Sequence, residues 1–334
     1  MNSENVFHSI NKNPYYNLAL EEYLMESVSP GENILLFYVN DDSVIIGRNQ
    51  NPWQESDVNL LKKDKIPIAR RISGGGTVFH DQGNLNYSMI IDKTVYDKSR
   101  QFELLLKSLK KNGINACVNS KHDLIINEKK FSGNAFCFRK NHVLHHGTIM
   151  FSVDTEKMKK YLTHDEKCKL NTKAIKSVRS NVINLNTCSN SIKMEDVRDS
   201  LTGFFLENYA IKNKEIKPLI IDESIVNATA DKFCSWDWIY GESPSFVTEL
   251  NRCFSWGTLS VSYKINKTKI TEIDIKSDKL TDKMINYIKD LFSNTDVNQI
   301  KYIDSSCLFL NDSQEIYIKD IIRMLEDSLV TDKK

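Results

Sequence analysis

Three short stretches hold the residues whose types and spacing suit chemistry. The first reads Arg70-Arg71-Ile72-Ser73-Gly74-Gly75-Gly76-Thr77-Val78-Phe79-His80-Asp81. Successive glycines let backbone N–H groups approach an anion with no Cβ in the way. The two arginines ahead of them can make charge-assisted, bidentate contacts with phosphate or carboxylate oxygens. No G-K-[ST] follows the glycines and G-x-G-x-x-G is missing, so neither the P-loop nor the dinucleotide fingerprint applies. A glycine-rich turn beside solvated arginines accounts for the same residues, and both readings stay open on composition alone.

The second stretch is Asp123-Leu124-Ile125-Ile126-Asn127-Glu128-Lys129-Lys130-Phe131-Ser132-Gly133-Asn134-Ala135. Period-two alternation along a strand sets Lys130, Ser132 and Asn134 on one side, away from Phe131 and Gly133. Glycine in a strand marks close approach by a ligand or another chain segment. A lysine so placed can bridge a carboxylate and an α-phosphate; a surface lysine at a hairpin end is the plain alternative. The third stretch is His145-His146-Gly147-Thr148-Ile149-Met150-Phe151. Neighbouring histidines on a strand point to opposite faces, so they cannot both ligate one metal, and no H-E-x-x-H accompanies them. One histidine is expected to be structural and the other to line a pocket.

The elements that must position these stretches read as follows. Asn17 precedes Leu18, Ala19, Leu20, Tyr23, Leu24 and Val28, helical spacing behind an N-cap residue. Residues 34–39 and 43–47 are β-rich runs that predict a hairpin around Asn40-Asp41-Asp42. A short helix at 55–63 and strands at 66–72, 77–80 and 85–91 follow, as an antiparallel meander rather than a βαβ series. Residues 102–112 form an amphipathic helix closed by Gly113. Strands are expected at 114–118, 123–127, 130–136 and 143–153, with Glu128-Lys129 as a turn, and helices at 155–162 and 195–208. Around Gly241 and Pro244 the pattern breaks and starts afresh. A hairpin of 257–265 and 269–275 and helices at 281–292 and 314–329 then make a small second domain. The fold class is α+β, mixed antiparallel sheet with flanking helices.

Composition bounds the class of function. With 334 residues and 40% apolar content the chain can give two domains a core. Lys+Arg 45 against Asp+Glu 44 gives a net charge of +1, which argues against a nucleic-acid partner. Apolar runs are strand-sized, so no membrane association is expected. Seven cysteines without C-x-x-C spacing, behind no apolar leader, fit separate reduced thiols in the cytoplasm.

Taken together, the stretches resemble the lipoate–protein ligase family. The resemblance begins at Asn17-Leu18-Ala19-Leu20-Glu21-Glu22 and runs through Val44-Ile45-Ile46-Gly47-Arg48-Asn49-Gln50-Asn51-Pro52-Trp53 and the arginine–glycine stretch. It continues at Lys130-Phe131-Ser132-Gly133-Asn134-Ala135, His145-His146-Gly147-Thr148, Ser177-Val178-Arg179-Ser180 and Trp236-Asp237-Trp238. It implies a biotin/lipoate ligase-like catalytic domain at 1–242 and an accessory domain at 243–334. The implied activity joins lipoate and Mg-ATP as lipoyl-AMP, then passes the lipoyl group to a lysine. That lysine belongs to a lipoyl domain of a 2-oxoacid dehydrogenase or to glycine-cleavage H protein.

Carried over by position, Arg71, Gly76, Thr77, Val78 and Phe79 contact the nucleotide, and Lys130 touches both nucleotide and acid as the catalytic residue. Ser73, Gly75, His80, Asn84 and His146 fall to lipoate, and Asp123 helps place Mg²⁺ or orients Lys130. A monomer is expected. Three alternatives remain. One is a lipoyltransferase using preformed lipoyl-AMP. Another is an octanoyl transferase working through a cysteine thioester, with Cys117 or Cys137 as nucleophile. The third is a binding-only relative. A biotin ligase is disfavoured because its G-R-G-R-x-G type loop is missing.

Overall fold

The structure, a computed structural model, describes residues 5–162, 169–172, 177, 180–189, 191–209, 219–244, 246–303 and 312–329. In chain order the elements begin with β1 (Val6–His8), α1 (Pro14–Ser27), β2 (Ile34–Tyr38), β3 (Ser43–Ile46), α2 (Pro52–Glu55), α3 (Val58–Lys63), β4 (Ile68–Arg70), β5 (Val78–His80) and β6 (Asn84–Asp92). Then come α4 (Lys98–Lys111), β7 (Cys117–Val118), β8 (Leu124–Ile126), β9 (Lys129–Ser132), β10 (Asn134–Phe138), β11 (His142–Met150), α5 (Thr155–Tyr161), β12 (Lys169–Thr172), α6 (Met194–Tyr209) and α7 (Glu223–Cys234). The last are β13 (Phe246–Phe254), β14 (Gly257–Asn266), β15 (Lys269–Ser277), α8 (Asp282–Phe292) and α9 (Asp312–Ser328). The described residues of 1–48, 66–160 and 177–234 form one compact unit, and those of 49–65, 161–176 and 235–334 a second.

The first unit is built on a five-stranded sheet in the order β1-β2-β6-β11-β10, with two three-stranded sheets, β4-β3-β5 and β7-β8-β9. The period of two along β6 explains its two faces. Leu85, Tyr87, Met89 and Ile91 enter an apolar core with Leu104, Leu105 and Leu109 of α4 and Val197, Leu201 and Phe205 of α6. Asn84, Asn86 and Ser88 alternate with them and are also buried. From that second, polar face Ser88 donates to Glu21 of α1. Helix α4 starts at Lys98, a turn earlier than expected, because the Asp97 carboxylate caps the N–H groups of Ser99 and Arg100.

The α+β class holds, while the meander is corrected. The runs expected to form a hairpin around residue 40 lie in different sheets, β2 in the large one and β3 at the centre of a small one. Strand β3 pairs in parallel with β4 and antiparallel with β5. The turn at 81–84 carries the chain between sheets instead of folding it back. It is pinned there by Asp81, whose carboxylate accepts from Gly83 N (2.8 Å) and Asp154 N (2.7 Å).

Asn17 is not the N-cap of α1. Asn13 caps it ahead of Pro14, and Asn17 sits inside the helix, fully buried. The turn after β8 is Asn127-Glu128, both at positive φ, one residue earlier than expected. Strand β1, helix α7 and strands β12 and β13 were not foreseen.

In the second unit β12-β13-β14-β15 form an antiparallel sheet. Leu259, Val261, Tyr263 and Ile265 of β14 alternate inward. Helix α9 is fastened by Trp256, whose indole N–H donates to Asp320 (2.7 Å) and whose ring meets Tyr317. No helix among the described residues is long and apolar enough to cross a membrane.

Candidate active site

The glycine stretch links β4 to β5 and is braced from inside. Arg71 is buried, and its guanidinium faces the loop's own carbonyls rather than outward. Nη2 donates to Gly74 O (2.6 Å) and Gly76 O (2.8 Å), Nη1 to Ile45 O (3.2 Å), and Nε to Ser73 Oγ (3.1 Å). Arg70 is fully buried and donates to Gly47 O and Arg48 O. Burial lowers the Arg71 pKa to about 10, with Glu21 and Tyr38 opposing the shift, so the group stays cationic at neutral pH.

Because the peptides are trans, the amide of Gly75 turns away from Arg71 and meets no hydrogen-bond acceptor among the described residues. The amide of Thr77 also turns outward and donates to Ser177 Oγ at 2.8 Å. Glycine is required at 75, where φ is +90° and a Cβ would stand 2.9 Å from Arg71 Nη2.

Behind the loop lies a buried relay from α1 to β11. Glu21 accepts from His146 Nδ1 (2.8 Å) and Ser88 Oγ (2.5 Å). The other ring nitrogen, Nε2, is hydrogen-bonded to Ser73 Oγ at 2.6 Å. His145 takes the opposite face, between Gln101 and Asn134 and stacked on Phe136. Burial pushes its pKa down to about 3, so it is a neutral core residue. His145 is thus the structural member of the pair, while His146 is buried with both ring nitrogens bonded, to Glu21 and Ser73.

Lys130 is held by its backbone and its ammonium. Its N–H donates to Asn181 O (2.8 Å) and its carbonyl accepts from Ile183 N (2.9 Å). Its Nζ pairs with Asp123 Oδ1 at 2.8 Å. The expected alternation fails at this residue. Ser132 and Asn134 do share a side, with Asn134 Nδ2 donating to Ser132 Oγ. A bulge against Leu124/Ile125 gives β9 an extra residue, however, and the strand breaks at Gly133. The Lys130 side chain consequently folds over Gly133, its Nζ 3.0 Å from where a Cβ would stand. The segment reaches the glycine loop through Ala135, whose Cβ lies 3.6 Å from the same position on Gly75.

Of the residues singled out in the sequence, Arg71, Ser73, Gly74, Gly76 and His146 form one bonded cluster with Gly75 in the same loop, and Lys130 with Asp123 a second beside it. His80 is buried and bonds to Asn40. Phe79 is buried in β5, which leaves Val78 the more accessible of the pair. Asn84 bonds to Asn86 and makes no hydrogen bond to the cluster. Val178 and Arg179 lie outside the described residues. Glu21 and Asn40 were missed. Glu21 stands four residues after Asn17, a same-face spacing that sequence does carry.

The chain matches the lipoyl protein ligase A/B catalytic domain over residues 13–206 and the bacterial lipoate protein ligase C-terminus over 243–325. It is 32% identical over 286 residues to a protein named lipoate-protein ligase A from Psychrobacter cryohalolentis, covering 83% of this chain and 84% of the relative. Among solved structures it is similar to P. falciparum LipL1 in complex with lipoate, at 28% identity and a TM-score of 0.61, over 96% of this chain and 98% of that one. It is also similar to a lipoate-protein ligase A bound with ATP, at 28% identity and a TM-score of 0.58, over 70% and 97% respectively. This chain belongs to the lipoyl protein ligase A/B family.

Proposed function

We infer that the chain is an ATP-dependent lipoate–protein ligase, with its catalytic residues in 1–242 and an accessory domain at 243–334. The observation that carries this reading is the Arg71-braced glycine loop lying against the segment that bears Lys130. Adenylation brings two anions together, the lipoate carboxylate and the α-phosphate. The Lys130 ammonium offsets their repulsion, and the outward amide of Gly75 donates to a phosphate oxygen. A carboxylate oxygen then attacks phosphorus and pyrophosphate leaves. An acceptor lysine attacks the lipoyl-AMP carbonyl, expelling AMP, and needs orientation but no enzyme nucleophile.

Asp123 already holds Lys130 and Asn119, which suits a positioning role, so Mg²⁺ enters with ATP as part of the substrate. Ser73, His80 and His146 border the acid, and Gly76, Thr77 and Val78 the nucleotide. The acceptors are lipoyl domains of 2-oxoacid dehydrogenases and H protein, and the enzyme acts in the cytoplasm as a monomer. The thioester alternative is disfavoured at Cys137, whose thiol burial pushes up.

Lys130→Ala should lower lipoate-dependent pyrophosphate exchange about a hundredfold, the scale of one preorganised donor. Normal exchange in that variant removes Lys130 from the chemistry. Intact mass of an acceptor incubated with ATP and free lipoate separates a full ligase from a transferase of preformed lipoyl-AMP.

A further inference from the structure

Asn17, Asn40 and His80 form a buried chain in which every hydrogen-bond direction is fixed by the one before. It starts from the carbonyl of Asn11, which can only accept. Asn17 Nδ2 lies 2.7 Å from that oxygen and must donate to it, so Asn17 Oδ1 is the atom that receives Ser9 Oγ at 2.6 Å. The second hydrogen on Asn17 Nδ2 points to Asn40 at 2.8 Å, and the atom there is Oδ1. Asn40 Nδ2 therefore faces His80 Nδ1, 3.0 Å away, and donates to it. A ring that accepts at Nδ1 carries its proton on Nε2.

Asn17 and Asn40 are wholly enclosed and His80 is 4% exposed. Burial, with Arg71 and His146 nearby, holds the imidazole pKa down to about 3, so the ring is neutral at working pH. Its Nε2 has no hydrogen-bond partner among the described residues. A buried donor without an acceptor is costly, and this one belongs to a ring whose charge neighbours are the loop-bracing Arg71 and the loop-bonded His146.

We propose that Asn17 and Asn40 are positioning residues that lock His80 as an Nε2–H donor for an acceptor atom of the bound carboxylic acid. The proposal rests on reading the chain as a lipoate ligase, but the tautomer half of it can be measured without any activity. Side-chain ¹⁵N spectra of ¹⁵N-histidine-labelled protein, with His80→Gln assigning the signal, should give a protonated Nε2 and a bare Nδ1. Asn40→Asp presents two acceptor oxygens in nearly the same shape and should move the proton to Nδ1. Asn40→Ser serves if the aspartate variant does not fold, and should leave His80 in a mixture of tautomers.

The altered tautomer should raise KM for lipoate about tenfold, the scale of one hydrogen bond, with kcat changed less than about twofold. Octanoate, which shares the carboxylate and lacks sulfur, identifies the acceptor. A KM rise with both acids assigns the carboxylate, and a rise with lipoate alone assigns the dithiolane. A parent ring protonated at Nδ1, or a tautomer that ignores Asn40, overturns the relay. A flipped tautomer with unchanged KM overturns the substrate contact. Absence of ATP-dependent activity in the parent enzyme would instead strike at the ligase reading and leave the spectra standing.

Discussion

Gly133→Ala separates the placement of the Lys130 ammonium from the stability of the fold. The added methyl would stand 3.0 Å from Lys130 Nζ and 3.1 Å from Cε, and its next neighbour, Thr148 Oγ1, is 3.9 Å away. Gly133 is not at positive φ, so alanine fits its backbone. The atoms that must yield are the end of a flexible side chain. Ordinary contact requires about 3.5–4.0 Å, so Nζ retreats by roughly 0.5–1 Å from its 2.8 Å pairing with Asp123. Displacements near 1 Å cost up to about a hundredfold in rate. The expected result is a roughly tenfold or greater fall in kcat for lipoate-dependent pyrophosphate exchange, with unfolding free energy within about 1 kcal/mol of the parent. Full exchange rates in Gly133→Ala would refute the placement argument. A large drop in Tm would show that the glycine serves packing instead.

Gly147→Ala should behave in the opposite way. Its Cβ would meet Tyr87 Oη, Asn134 Oδ1 and Gly133 O at 2.5–2.8 Å. Overpacking should therefore cost about 1–3 kcal/mol in denaturant unfolding. The control Gly203→Ala lies on an exposed turn of α6 with nothing within 4 Å, and should stabilise by about 0.5–1 kcal/mol. Stability should also depend on acid. His80 and His145 titrate at about 3 in the fold against 6.5 unfolded. Between those values only the unfolded chain takes up their protons. Unfolding free energy should thus fall as pH drops from 6.5 toward 3, by about 1.4 kcal/mol per pH unit for each ring at the steepest. Urea midpoints across that window test this, and His145→Gln should flatten the slope; an unchanged slope would contradict its burial as a neutral ring.

What could be read in advance follows from which patterns have a single physical reading. Adjacent histidines on a strand must diverge, and His145 and His146 do. Glycine admits backbone conformations that other residues rarely adopt, and Gly75 takes a positive φ of +90°. The direction of Arg71 was not legible, because a guanidinium fork fits a phosphate and a pair of carbonyls equally well. The hairpin expected around Asn40 failed because two short β-rich runs joined by polar residues look alike whether they pair or part between sheets. Helix α7 escaped notice because only Val226 and Phe233 of its twelve residues are buried, too few to mark a period. The bulge in β9 has no signature in residue type, yet it decides which side of the strand Lys130 occupies.

The inward fork of Arg71 bears on what kind of anion receptor the proposed function makes of this loop. Its positive charge lies in a low-dielectric interior, and two peptide units oriented by it carry that polarity to the surface. Mobile ions quench the field of exposed lysines over a Debye length of about 8 Å at physiological ionic strength, but they cannot crowd around a buried guanidinium. On the function proposed above, an anion on this loop is held chiefly by oriented dipoles that salt leaves largely intact.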